Sequence, residues 1–231
     1  MEHQIIKIQK IVRGHLQRIK LLPLILYKIQ KYLITNNIDL SNYNNDGRIN
    51  SSIDENIIIK LLENKFKIIK PKIRMWYDIL VFDYKYCWIP VNIKSTKLDH
   101  RWDNVGNLAM CVYAYTNYEL DLHNKKSHDN GKMSIILFNK LKNKEYNYNY
   151  KKDYYFIVVN KTKPCDIIIN SLKGLSIISP NINNLPFQIC WNKNKVFKYE
   201  NIKIKLFIEC LQKPKQSWKE VFVSNMKTLS I

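Results

Sequence analysis

Two strand-like runs, residues 77–82 and 88–93, stand on either side of Asp83-Tyr84-Lys85-Tyr86, and this hairpin signal constrains the chain more than any other feature in it. Side chains in a strand repeat every two residues. Asp78, Leu80 and Phe82 therefore share one face of the first strand, and Trp88, Pro90, Asn92 and Lys94 share one face of the second. The connection lacks the glycine that the tightest hairpin turns favour. Pro90 has no N–H to donate, which puts the second strand at a sheet edge or distorts it.

The elements around the hairpin make the expected class a mixed α/β or α+β fold, with a helix ahead of a largely antiparallel sheet. Ser52 is placed to cap a helix bearing Ile53, Ile57, Leu61 and Leu62, with Asp54 and Glu55 in its first turn, and this helix ends before Lys70-Pro71. Further strands are expected over residues 133–138, 154–159, 167–169, 187–191 and 202–207, while residues 108–115 suit strand or helix. Residues 35–51, rich in Asn and Ser, read as a polar linker. The expected organisation is thus a basic helix over 1–34, a linker over 35–51 and a domain over 52–231.

Charge narrows the partners. Lys and Arg number 38 against 19 acids, a net +19, so polyanions are favoured, nucleic acid ahead of an anionic membrane. Hydrophobic residues at 46% exclude a disordered chain, and no apolar run approaches the roughly 18 residues of a membrane span. The five Cys lack CxxC pairs and zinc spacing, and residues 1–10 lack a signal-peptide core, so an intracellular rather than secreted protein is expected. Residues 1–33 hold seven Lys or Arg and one acid, Glu2, and residues 161–231 hold 12 Lys and 4 acids. That basic carboxy-terminal part is a candidate DNA face, on which Gln188, Lys193 and Asn194 have the chemistry to read base edges.

In the first of those basic stretches, Ile5, Ile8, Val12, Leu16 and Ile19 recur at helical spacing. Pro23 then kinks or divides the helix. Ile8, Gln9, Arg13, Gly14 and Arg18 fill the pattern aliphatic-Gln-x-x-x-Arg-Gly-x-x-x-basic, which resembles the calmodulin-binding IQ motif. The resemblance implies a calmodulin-like partner, its groove taking the apolar stripe and its acidic surface meeting the basic face. The plainer alternative is an amphipathic helix that packs on the domain or grips phosphates.

Hydrolysis of a phosphodiester by a metal-dependent site needs a carboxylate on Mg²⁺, a further ligand, and a cation beside the attacking water. Asp78, Asn92 and Lys94 would converge at the open end of the hairpin. The strings Trp76-Tyr77-Asp78-Ile79-Leu80-Val81 and Trp88-Ile89-Pro90-Val91-Asn92-Ile93-Lys94-Ser95-Thr96 resemble the core of type II restriction endonucleases of the PD-(D/E)xK class. Asp103-Asn104-Val105-Gly106-Asn107 and residues 183–191 are similar to endonuclease-like proteins of this sort, including those of large DNA viruses. The resemblance implies a mixed sheet flanked by helices, Mg²⁺ or Mn²⁺ held by Asp78, Glu55 and the Ile93 carbonyl, and Lys94 activating water. It also implies DNA contacts from Ser95, Thr96 and Asn104, and a homodimer for duplex cleavage.

One departure stands inside the motif. Asn92 occupies the place of the usual acid, and a neutral amide is a weaker metal ligand; Asp99 or Asp103 are alternative donors, and an inactive enzyme is another outcome. His100, His123 and His128 have no metal-ligand spacing and read as polar loop residues. Tyr146-Asn147-Tyr148-Asn149-Tyr150 reads as a compositionally biased loop, with base stacking as the alternative. The expected function is a Mg²⁺-dependent DNA endonuclease with an IQ helix. An inactive IQ-domain interaction protein, or a basic DNA-binding structural protein, is the alternative.

Overall fold

The computed structural model describes residues 22–36, 38–40, 47–71, 75–105, 107–123, 129–181, 186–198, 203–213 and 220–229. The IQ-like residues 8–18 and His128 lie outside them. Helices α1 (Leu24–Thr35) and α2 (Gly47–Glu63) come first, followed by strands β1 (Ile68–Ile69), β2 (Ile79–Asp83), β3 (Cys87–Thr96) and β4 (Asp103–Val105). After these come α3 (Leu108–Tyr115), α4 (Asn130–Lys142), β5 (Tyr155–Asn160), β6 (Ile167–Ser171), β7 (Ile178–Ser179), β8 (Phe187–Ile189), α5 (Lys203–Leu211) and α6 (Glu220–Lys227). The class is mixed α+β, with a five-stranded sheet in the order β1-β2-β3-β5-β6 and a three-stranded sheet in the order β4-β8-β7.

The hairpin forms as its sequence suggests, with β2 and β3 antiparallel and Leu80 opposite Pro90. Asp83 does the work of the missing glycine. Its Oδ1 accepts the N–H groups of Lys85 (2.9 Å) and Tyr86 (3.1 Å), closing the turn, and Cys87 takes up a positive φ of 59° where the second strand begins. On its other side β3 pairs in parallel with β5, from Val91 opposite Tyr155 to Thr96 opposite Asn160. Pro90 thus falls just before the second neighbour joins, where a missing N–H leaves no carbonyl unpaired. A parallel pair needs a long crossover, and α3 and α4 lie within it.

Alternation along the central strands covers both faces of the large sheet. Ile79, Val81, Ile89, Val91, Ile93, Tyr155 and Ile157 pack with Leu26, Ile29 and Leu33 of α1 and with Ile58, Ile59 and Leu62 of α2. On the opposite face Leu80, Phe156, Val158 and Ile168 meet α3, α4, α5, α6 and the small sheet. Helix α1, read from sequence as the end of an appended helix, therefore belongs to the same core as α2 and the sheet. It starts directly after Pro23, as proline allows at a helix start.

Three elements differ from expectation. Residues 133–138 are helix, not strand: Asp129 caps α4 through the Gly131 N–H, and Met133, Leu137 and Leu141 bury one face at four-residue spacing. Residues 202–207 also fall largely in a helix, where Phe207, Ile208 and Leu211 are buried. Helix α2 begins at Gly47 rather than at Ser52, so part of the expected linker is helix and the acids stand two turns inside it. Its buried stripe is Asp54, Ile58 and Leu62, while Ile53 and Ile57 are exposed. Residues 108–115 are helix, capped by Asn107 accepting the Ala109 N–H at 2.8 Å.

Candidate functional site

Asp78 stands immediately before β2, at the open end of the hairpin, with its own N–H bonded to the Val91 carbonyl at 3.1 Å. Its Oδ2 accepts two hydrogen bonds from β3: the Ile93 N–H at 2.8 Å and the Asn92 Nδ2 at 2.7 Å. A strand residue presents its N–H and C=O to the same neighbour. The Ile93 carbonyl is therefore directed past the start of β2, toward Asp78. The Asn92 Oδ1 is buried and has no hydrogen-bond partner among the described residues. Tyr154 stands beside that amide, its own proton given to the Trp76 carbonyl at 2.9 Å.

Lys94, two residues on along β3, is a shared cation. Burial pushes the Asp78 carboxyl up to about 6, opposed by the Ile93 N–H and by Lys94. Burial likewise raises Glu55 to about 7, opposed by Lys94 and reinforced by Asp78. Asp103, at the start of β4, is raised by burial too, with Lys94 and the Thr96 hydroxyl opposing. Three carboxyls on three elements thus feel one ammonium. The arrangement leaves Glu55 close to half-ionised near neutral pH, where a group can both accept and release a proton, while Asp78, at about 6, is mostly ionised there.

The placement of Glu55 is secured by its sequence neighbour. Asp54 is 1% exposed and accepts the Ser95 Oγ at 2.9 Å, while Lys161 Nζ lies 2.9 Å from the same carboxylate and 3.2 Å from Ser51 Oγ. This buried cluster ties α2 to the end of β3 and to the turn after β5. Sequence reasoning passed over Asp54 and Lys161, although an acid four residues before Ile58 and eight before Leu62 falls on the buried stripe and demands a partner.

The remaining expected DNA contacts divide. Ser95 is buried against Asp54, and Asn194, fully buried, holds the chain around it: its Oδ1 accepts the N–H groups of Ser176 and Ile177, and its Nδ2 donates to the carbonyls of Ile177 and Cys190. Neither faces outward to read a base. Thr96 donates to Asp103 at 3.4 Å. Asn104 and Gln188 are opposite each other in the small sheet, Asn104 exposed and accepting from Asn181, Gln188 half-buried and donating to the Pro180 carbonyl at 3.4 Å. Lys193 is exposed, its ammonium 5.6 Å from the Trp102 ring centre. Asn104 and Gln188 therefore stand on the small sheet, and Lys193 lies in the turn that follows β8.

A hard divalent cation takes oxygen donors, and the residues here offer the Asp78 and Glu55 carboxylates, the Ile93 carbonyl and the unpartnered Asn92 Oδ1. That donor set suits Mg²⁺ or Mn²⁺ in kind. Among the described residues no three His, Cys, Asp or Glu side chains are grouped to hold a metal, so the site has two acids at most. The Tyr146–Tyr150 stretch is fixed from within: Lys173 donates to the carbonyls of Asn147, Asn149 and Lys152 at 3.0–3.1 Å, leaving Tyr148 exposed and Tyr150 edge-on to Tyr86. Compared with known proteins, the chain matches no family model, no curated protein and no solved structure.

Proposed function

We propose that the chain is a restriction-endonuclease-like phosphodiesterase that binds DNA and hydrolyses it with Mg²⁺ or Mn²⁺ at the open end of the β2–β3 hairpin. The observation that carries the proposal is the Asp78 carboxylate at the open end of the hairpin, which accepts the Ile93 N–H at 2.8 Å beside an Asn92 Oδ1 that has no hydrogen-bond partner among the described residues. The strand order agrees with the sequence resemblance: an acid ahead of one strand, an x-Lys signature on the next, and an acid from the preceding helix.

Each residue has a role that follows from its position. Asp78, backed by the Ile93 N–H, is the principal anionic anchor, with the Ile93 carbonyl and Glu55 completing an oxygen-lined cradle. A divalent cation bound there supplies Lewis acidity toward the scissile phosphate. Lys94 holds the attacking water and offsets the charge that builds up on the phosphoryl oxygens. Glu55, as the second carboxylate of that cradle, supports Asp78. Residues 8–18 recruit a calmodulin-like protein, and two copies of the chain act together on duplex DNA. Purified protein should nick supercoiled plasmid in Mg²⁺ or Mn²⁺ and leave it intact in EDTA; nicking that persists in EDTA counts against this function.

A second reading is favoured by one contact. Asn92 donates to Asp78 at 2.7 Å, which occupies a carboxylate oxygen with an amide where a metal site would use a second acid. On that reading the domain is an inactive DNA-binding descendant of a nuclease, and DNA affinity persists with no metal requirement. Among the described residues no helix is long and apolar enough to cross a membrane.

A further inference from the structure

The closed end of the hairpin carries a feature that the phosphodiesterase reading leaves unused. Beside the turn lies a cavity of about 260 Å³ whose walls include Leu24 and Ile25 at the start of α1, Phe82 and Tyr84 of the hairpin, and the lysines Lys28 and Lys85. Tyr84 is 94% exposed, yet its ring is held edge-on to Phe82, with centroids 5.5 Å apart at an interplanar angle of 79°. Leu24 is 59% exposed. Apolar surface of this kind is left in water at a cost, and it usually marks a binding site when it is concave.

The charge around the rings has one sign. Lys85 Nζ lies 5.4 Å from the Tyr86 ring centre and 5.5 Å from that of Tyr150, and Lys67 Nζ lies 4.5 Å over Phe82. Asp83, the acid in the lining, is 4% exposed, and its oxygens already take the N–H groups of Ile25 at 3.1 Å, Lys85 at 2.9 Å and Tyr86 at 3.1 Å. The same three bonds lock the turn to the start of α1, so the walls are preformed. The ligand chemistry that fits is a flat, largely apolar ring joined to an anion.

We propose that this cavity takes one unpaired base of a single-stranded nucleic acid, stacked on the exposed Tyr84 ring with Phe82 as a side wall, and with the adjoining phosphates held by Lys28 and Lys85. The volume falls just below the ~300–1,000 Å³ of drug-sized ligand sites, which suits one ring system, and a paired base in a duplex has no free face to insert. The cavity lies at the opposite end of β2 from Asp78, roughly 17 Å along the strand. It is an anchor separate from the metal-binding end and independent of whether that end is active.

The test uses the full chain in EDTA and follows the fluorescence anisotropy of labelled oligothymidylate. Tyr84→Ala, at a fully exposed position, should weaken binding about tenfold, and Lys28→Glu should also weaken it. Tyr148→Ala, removing a tyrosine that is 79% exposed but outside the cavity, should leave binding unchanged. Unaltered affinity in Tyr84→Ala, or an equal loss in Tyr148→Ala, overturns the proposal. Displacement of the oligonucleotide by an equal nucleotide concentration of thymidine monophosphate overturns its assignment to a strand.

Discussion

Asn92 is the residue on which the chemistry turns. Its amide donates a hydrogen bond to Asp78 while its own Oδ1 has no partner among the described residues, so an acid at this position changes both ends of the contact. In Asn92→Asp two carboxylates would face each other at hydrogen-bond distance without a donor between them. Its melting temperature in EDTA at pH 8 should fall by about 5 °C, and Mg²⁺ should raise it by more than it raises wild type, which thermal melts with and without metal will measure. The neighbouring acids set a pH dependence of known sign. Asp78 and Glu55 are raised by burial to about 6 and about 7, so the folded chain keeps protons that the unfolded chain has lost between roughly pH 4 and pH 7. Their contribution therefore weakens the fold as pH rises through that window. Relative to wild type, Glu55→Gln should gain stability from pH 4 to 7 and level off above it; melting temperatures in EDTA that run parallel across this range would refute the assignment. Gly174 marks a purely steric limit, because a Cβ there would come within 2.2 Å of the Phe197 ring and 2.3 Å of Asn170 Oδ1.

At the scale of elements, α2 and β3 act as one unit because the Asp54, Ser95 and Lys161 cluster is buried between them. Removing one partner of such a cluster leaves an uncompensated charge, so Asp54→Ala should cost about 3–5 kcal/mol in urea unfolding, and Asp54→Leu combined with Lys161→Met should recover most of it. The double variant also separates fold from position, since Glu55 loses its brace while the core is kept. The hairpin, β5, β6 and the mixed class were legible in the sequence because alternating apolar residues and an Asp-led turn leave little choice. Residues 202–207 imitate a strand because Ile202, Ile204 and Leu206 alternate with Lys203 and Lys205, and residues 133–138 because a short, nearly continuous apolar run shows no helical period of its own. Only the longer window exposes the four-residue spacing of Met133, Leu137 and Leu141. Asp78 and Lys94 could be named from the two-residue strand period and Glu55 from the family resemblance, whereas Asp54 and Lys161 could not be paired without the α2–β3 packing, and Ser95 and Asn194 prove to be internal braces.

For the whole molecule, the large sheet covered by helices on both faces leaves its strand ends as the place where polar side chains meet, and Asp78, Lys94, Glu55 and Asp103 gather there. The net charge of +19 gives the chain a long-range pull on polyanions that falls with salt. Lys193, exposed beside Trp102 in the turn after β8, is expected to contact phosphate: Lys193→Ala should reduce the slope of log affinity against log salt by about 1 on duplex DNA, read from binding isotherms at several salt concentrations. On the two proposals the ends of the hairpin would have different tasks, the closed end gripping an unpaired base and the open end hydrolysing the backbone. The central claim is that Asp78 anchors a metal-dependent phosphodiesterase. It is tested most directly by the rate of plasmid nicking in Mg²⁺ by Asp78→Ala relative to wild type. A loss of at least about a hundredfold, with the fold intact by circular dichroism, is the predicted result; equal nicking by the two proteins, or none by wild type in either Mg²⁺ or Mn²⁺, would contradict it.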